Sequence, residues 1–130
     1  MGKRILMIED NEDNRRILRD LLTSKGYDVI EAEDGIDGVS AAETFRPDLI
    51  LMDIQLPGID GVEALRRLRA DPATQGIPVI AVTASVMNAQ QAEFRDAGFD
   101  DLEFKPVSVA GLLRKVRVLL DESVASGGSR

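Results

Sequence analysis

Apolar residues follow two alternating patterns along this chain: short unbroken runs, and stretches in which they recur every three or four positions. The unbroken runs are Ile5-Leu6-Met7-Ile8, Leu49-Ile50-Leu51-Met52 and Val79-Ile80-Ala81-Val82. Runs of about four to eight apolar residues bounded by turn formers predict strands covered on both faces, and periodicity alone leaves a buried helical segment open as the alternative. Val29-Ile30 and Leu102 to Phe104 predict two weaker strands. The periodic stretches predict the helices between them. Ile17, Leu18, Leu21 and Leu22 form a stripe from about Asp13 to Ser24, closed by Gly26. Ile36, Val39, Ala42 and Phe45 form a second stripe, ended by Pro47.

Asp60 with Glu63 has the spacing of a capping box ahead of Val62, Leu65 and Leu68, and Pro72 ends that third helix. In the fourth helix Asn88 or Gln91 is placed to cap, Phe94 and Ala97 are expected to point inward, and Gly98 closes it. The last helix starts at Ser108 as N-cap, with Val107 and Leu112 at staple positions and Leu112, Leu113, Val116 and Leu120 as its stripe. Strands alternating with helices predict an α/β fold, a doubly wound five-stranded parallel sheet with five helices. One domain is expected over residues 1–122, followed by a disordered tail over 123–130.

In open sheets of this kind ligands bind beyond the carboxyl ends of the strands. That rule collects Glu9 and Asp10 after the first run, Asp53 at the end of the Leu49 run, Thr83 at the end of the Val79 run and Lys105 after the last strand. The chain of 130 residues holds no cysteine and no histidine, so disulfides, thiolate metal sites, Ser-His-Asp triads and imidazole ligands are excluded. A net charge of −7 disfavours direct nucleic-acid binding, and Arg66, Arg67, Arg69, Arg114, Lys115 and Arg117 are expected to be solvated helix faces. No apolar run approaches the roughly 20 residues needed to span a bilayer, so a cytoplasmic location without membrane insertion is expected.

Three gathered carboxylates repel one another unless a cation sits among them. An oxygen-only ligand set favours a hard divalent ion such as Mg²⁺. Lys105 adds a positive charge suited to a phosphoryl group, Thr83 adds a hydroxyl donor, and Asp53 can act as a nucleophile that forms an acyl phosphate. Each residue also has an ordinary alternative: Glu9-Asp10 as an N-cap pair, Asp53 as a turn starter before Pro57, Thr83 as a cap and Lys105 as a solvated lysine. Their joint placement at strand ends favours the shared site.

Four pieces in this order, Glu9-Asp10-Asn11, the stretch L-M-D-I-Q-L-P-G-I-D-G around Asp53, V-T-A at Val82 to Ala84, and Lys105-Pro106, resemble the receiver domain of bacterial two-component response regulators over about residues 3–121. The resemblance implies a flavodoxin-like strand order of 2-1-3-4-5. It further implies that Asp53 accepts a phosphoryl group from a histidine kinase or histidine phosphotransferase. Asp10, Asp53 and the Gln55 carbonyl would hold Mg²⁺, with Glu9 acting through water. Lys105, placed by a cis peptide to Pro106, would contact the phosphoryl group, and Thr83 would report its presence. The segment from Ala84 to Ala97 would follow Thr83, and a downstream protein would read the fourth helix, fifth strand and fifth helix.

One position departs from the family pattern. An aromatic switch residue usually stands three positions before the lysine, where this chain has Leu102; Phe104 lies two residues on. Gln55 and Ser85 flank the expected site and bear on phosphate lifetime, while Met87 is expected on a partner-binding surface. Single-domain regulators that signal by protein contact are the nearest type, and a receiver excised from a hybrid kinase is the related alternative. A Mg²⁺-dependent phosphohydrolase with an aspartyl-phosphate intermediate is the rival of another class, against which Gln55 stands where such enzymes carry a second acid. A phosphate-independent scaffold is the third.

Overall fold

The computed structural model describes residues 2–84, 88–105 and 107–129, and side chains except those of 88–91 and 121–129. Ser85, Met87 and the peptide between Lys105 and Pro106 therefore lie outside the described residues, as do the side chains of Asn88 and Gln91. The strands are β1 (Arg4–Ile8), β2 (Asp28–Ala32), β3 (Leu49–Asp53), β4 (Val79–Thr83) and β5 (Asp101–Phe104). The helices are α1 (Glu12–Ser24), α2 (Gly35–Phe45), α3 (Gly61–Ala70), α4 (Asn88–Ala97) and α5 (Val109–Ser129). All strand pairs are parallel and the order is β2-β1-β3-β4-β5, as the sequence pattern and the family resemblance predict. Among the described residues no helix is long and apolar enough to cross a membrane.

The unbroken apolar runs are explained by a sheet covered twice. Side chains alternate across a strand, so Leu6, Ile8, Ile50, Met52, Val79, Ala81 and Leu102 pack with α2, α3 and α4, where Ala42, Leu65, Leu68 and Phe94 meet them. Ile5, Met7, Leu49, Leu51 and Ile80 face the other way, against Leu18 and Leu22 of α1 and Leu112, Val116 and Leu120 of α5. The register sets the upper edge of the sheet: Asp53 stands opposite Val82, and Thr83 opposite Phe104. Because the strands run the same way, their carboxyl ends share one edge.

Several expected contacts come out differently. On α2 the buried positions are Gly35, Gly38 and Ala42, while Ile36 and Phe45 are exposed. Gly38 lies so near β1 that a methyl group there would come within 2.8 Å of Ile8 Cγ1, which draws the glycine face rather than the Ile36 face inward. Ile17 of α1 is 62% exposed. In α4 Phe94 is buried as expected, but Ala97 is exposed and Phe99, just beyond the helix, packs edge-on against Phe94 at 6.3 Å. The capping box is half formed: Asp60 Oδ1 accepts the Glu63 N–H at 2.9 Å, but the Glu63 carboxylate turns to Arg66 and Arg67, which hold its pKa down at about 2.

Arg69 is not a solvated face residue. Its guanidinium donates to the carbonyls of Gln75 and Ile77 at 2.9 and 2.7 Å and to Asp100 Oδ2 at 3.1 Å, fastening α3 to the loops that lead into β4 and β5. The α5 backbone is helical to Ser129, through the stretch 123–129 where a tail without structure is expected; Leu120 is its last side chain with a described place in the core.

Gly61 opens α3 directly beneath the end of β3. A Cβ there would meet Ile54 Cα at 2.8 Å and Asp53 O at 2.9 Å, both backbone atoms that cannot turn aside. Gly61→Ala is expected to cost about 1–3 kcal/mol of stability, the range for overpacking a closed site, read as a lower urea midpoint. An unchanged midpoint would show that the β3–α3 turn gives way freely.

Candidate functional site at the carboxyl edge of the sheet

The edge is built from short main-chain devices that each release one side chain toward the same point. β1 ends at Ile8, and the Glu9 N–H is still held by Ala32 O at 3.0 Å. Asn11, not the acid pair, caps α1: its Oδ1 accepts the Asn14 N–H at 2.9 Å. With the cap supplied by Asn11, neither Glu9 nor Asp10 has to serve as one. Glu9 Oε2 accepts the Asn11 N–H at 3.0 Å. Arg15, one turn into α1, reaches back with Nη1 to Glu9 O at 2.8 Å and Asp10 O at 3.2 Å. Its side chain is only 11% exposed and also approaches Glu31 at 3.5 Å, so a residue outside the α1 stripe fixes the backbone of the acid pair.

Asp53 closes β3 and is 4% exposed. Its two oxygens have different partners: Oδ1 accepts the Gln55 N–H at 3.0 Å, and Oδ2 accepts Lys105 Nζ at 2.7 Å. Lys105 Nζ also lies 3.5 Å from Glu9 Oε1. The lysine is in turn held through its main chain, since its N–H donates to Thr83 O at 2.9 Å. Oxygens of Glu9, Asp10 and Asp53 lie within 4.8 Å of one another, which brings the three acids into one cluster.

Strand alternation sorts the five residues further. Asp53 and Lys105 share the parity of Leu51 and Glu103, toward α1 and α5, and on that side a cavity of about 500 Å³ is lined by Glu9, Ile17, Leu18, Val82, Lys105 and Val107. Exposed Ile17 thus lines the cavity mouth. Thr83, buried at 2% exposure, has the opposite parity and belongs with Ala81 on the α3/α4 side. Phe104 is its register partner and is half-buried on that same side, whereas Leu102 is enclosed in the core one step below.

The charges explain what the cluster lacks. Burial pushes the Glu9 pKa above its ordinary value; the neighbouring Asp53 charge adds to this, while the Asn11 N–H and Lys105 oppose it. Burial acts to lower Lys105, but the hydrogen bond and charge of Asp53, with Glu9 behind them, outweigh it and hold the ammonium above its usual value. One ammonium against three carboxylates leaves the edge negative. The donor set is all oxygen, closely spaced and partly desolvated, and so fits a hard divalent cation.

The family profile of the response regulator receiver domain matches residues 5–117. The polar-differentiation response regulator DivK of Brucella anthropi is 38% identical over 123 residues, 95% of this chain and 100% of that one. DivK of Brucella ovis is 37% identical over the same shares. Among solved structures, the receiver domain of the sensor histidine kinase PA1611 from Pseudomonas aeruginosa PAO1, determined with a magnesium ion coordinated in its active site cleft, superposes with a TM-score of 0.86. It is 37% identical and covers 93% of this chain and 99% of its own. A response regulator structure from Chloroflexus aurantiacus gives a TM-score of 0.88 at 27% identity, covering 93% of this chain and 99% of its own.

Glu9 supplies a pH test of the site's electrostatics. Its folded pKa lies above the ordinary 4.5, so the folded chain takes up this proton more readily than the unfolded chain. The resulting stabilisation is complete below that ordinary value and is lost as pH rises through the folded one. In metal-free buffer Glu9→Gln should therefore melt higher than wild type at pH 7, with the gap narrowing as pH falls through the raised folded pKa toward 4.5 and changing little below that. A gap that widens on acidification would reverse the assignment.

Proposed function

Because the chain belongs to the receiver domain family of two-component response regulators, we propose that it works as a phospho-acceptor switch in which Asp53 takes a phosphoryl group from a phosphohistidine on a kinase or phosphotransferase. The observation that carries this reading is the Lys105 Nζ to Asp53 Oδ2 contact at 2.7 Å beside Glu9 and Asp10. A carboxylate nucleophile pinned by one ammonium and flanked by two acids is suited to in-line phosphoryl transfer, which depends on positioning and charge neutralisation more than on covalent help from the protein.

Asp10 and Asp53, with the main-chain carbonyl of Gln55, are assigned as holders of Mg²⁺, and Glu9 as a holder through water. The bound ion would neutralise charge on the phosphoryl oxygens. Asp53 attacks phosphorus as the bond to the donor imidazole nitrogen breaks, and Lys105 exchanges its contact with Asp53 Oδ2 for a phosphoryl oxygen. The α1 side of the cavity, with Ile17 and Val107 at its mouth, is where the donor histidine has room to approach.

The signal leaves by the opposite face. Thr83 is assigned to the phosphoryl group as hydroxyl donor, and its movement frees space beside Phe104, its neighbour across the β4–β5 ladder. Phe104, half-buried, has freedom that the enclosed Leu102 lacks, so it takes the aromatic switch role. The surface of α4, β5 and α5 is then read by a downstream protein. The chain promotes its own phosphorylation and dephosphorylation without turning over an external phosphoester, and it acts in the cytoplasm without contacting nucleic acid directly. The likeness to the PA1611 receiver supports a second setting, as the receiver of a hybrid sensor kinase, and the full reading frame of the gene distinguishes the two.

Incubation with Mg²⁺ and acetyl phosphate should add one phosphoryl group by intact mass, and Asp53→Asn should take none; label persisting in that variant places the acceptor elsewhere. Thr83→Ala should still take the label but lose the phosphate-dependent change in α4 and β5 amide shifts. Undiminished shifts would remove Thr83 from the relay. Steady release of phosphate from ordinary phosphomonoesters over many turnovers would favour a hydrolase instead.

A further inference from the structure

Glu103 is a buried acid, 5% exposed, on the α1/α5 face of the sheet, where the neighbouring strands present Leu49, Leu51 and Ile80. Its carboxylate has two partners. Oε1 accepts Lys115 Nζ of α5 at 2.8 Å, and Oε2 accepts the Ser108 N–H at 3.3 Å. Lys115 donates in addition to Leu102 O, so one ammonium ties α5 to both the main chain and the side chain of β5. Ser108 in turn starts α5, its Oγ accepting the Gly111 N–H at 3.2 Å and its carbonyl the Leu112 N–H at 2.8 Å.

Stability alone does not call for this arrangement. A buried ion pair loses in desolvation much of what it gains in attraction, and apolar residues of similar volume serve as well or better. Placement suggests what the pair does. Glu103 precedes Lys105 by two residues on the same side of the strand, and Ser108 follows Lys105 by three. On one flank the Lys105 N–H is held by Thr83 O at 2.9 Å. On the other flank the Glu103 carboxylate holds the Ser108 N–H, and Lys115 holds that carboxylate in place.

We propose that Glu103 is a positioning residue for Lys105: clamped by Lys115, it fixes the start of α5 against β5, so that the lysine meets the Asp53 oxygen with its stem already aimed. The inference rests on the reading of Lys105 as the group that contacts the transferred phosphoryl. Glu103 itself touches no reacting atom. It acts by keeping the chain that carries Lys105 from relaxing when the lysine changes partner from Asp53 to the phosphoryl group, and it makes the start of α5 a fixed neighbour of the site.

The test separates lysine placement from metal binding, because Glu9 and Asp10 follow β1, Asp53 ends β3, and among the described residues Glu103 bonds instead to Ser108 and Lys115. Glu103→Leu/Lys115→Met removes both charges together, and Glu103→Met alone leaves the half-exposed Lys115 able to turn to solvent if the double variant does not fold. Mg²⁺ affinity by calorimetry should match wild type, while the acetyl phosphate labelling rate of Asp53 at saturating Mg²⁺ falls about tenfold, as expected when a reacting group is held loosely. Labelling at the wild-type rate overturns the proposal. Loss of Mg²⁺ affinity in parallel with rate also overturns it, because the residue then supports the whole site rather than the lysine. A wild-type chain that takes no label on Asp53 fails the underlying switch reading, and that control is measured first.

Discussion

The contact between Lys105 and Asp53 joins residues 52 positions apart, and most of what surrounds it serves to keep like charges together. Three carboxylates converge at the carboxyl edge of a parallel sheet because parallel strands all end there, and convergence of this kind raises the free energy of the ionised state. The raised pKa of Glu9 comes mostly from burial and in lesser part from Asp53, and the ammonium of Lys105, held above its ordinary value by Asp53 and Glu9, partly relieves the repulsion. A divalent cation can complete the balance, and the added negative charge of a phosphoryl group is favoured only beside such a cation and Lys105, which gives the site differential affinity for ligands of the right charge. A ligand shifts a conformational equilibrium only through such a difference.

The sheet keeps its two faces separate while the edge joins them. Asp53 and Lys105 belong by parity to the α1/α5 side, together with the cavity lined by Glu9, Ile17 and Val107, and Thr83 and Phe104 belong to the α3/α4 side. The two faces are joined at the edge by the adjacent residues Val82 and Thr83 and by the main-chain bond from Lys105 to Thr83. Three cations act as fasteners, Arg15 and Lys115 near this edge and Arg69 at the amino-terminal ends of β4 and β5. Arg15 grips the backbone of Glu9 and Asp10, Arg69 ties α3 to Asp100, and Lys115 ties α5 to Glu103. The Arg69 anchor holds the loop that follows α4, so the helix is restrained at its carboxyl end.

The alternation of strands and helices, the parallel sheet and the placing of Glu9, Asp10, Asp53, Thr83 and Lys105 at its carboxyl edge could be read from local pattern, while the strand order came from the family resemblance. Continuous apolar runs report burial on both faces, and an acid or lysine that ends such a run must emerge at the strand's end. The caps at Ser108 and Asp60 follow from side chains that bond their own neighbours a few residues on.

Tertiary structure alone decided which side of an ambiguous helix turns inward, and what the long cationic side chains touch. On α2 the closeness of Gly38 to Ile8 of β1 displaced the Ile36 and Phe45 face, a matter of helix-to-sheet distance that no periodicity encodes. Arg69 and Lys115 have the spacing of solvated faces, yet their flexible stems carry charge back to carbonyls and acids distant in sequence. Glu103 looks like any polar residue in a short strand until α5 closes over it. Sequence determined where the acidic site would form; packing between elements far apart in the chain decided how its lysine is held and on which side of the sheet each of its residues stands.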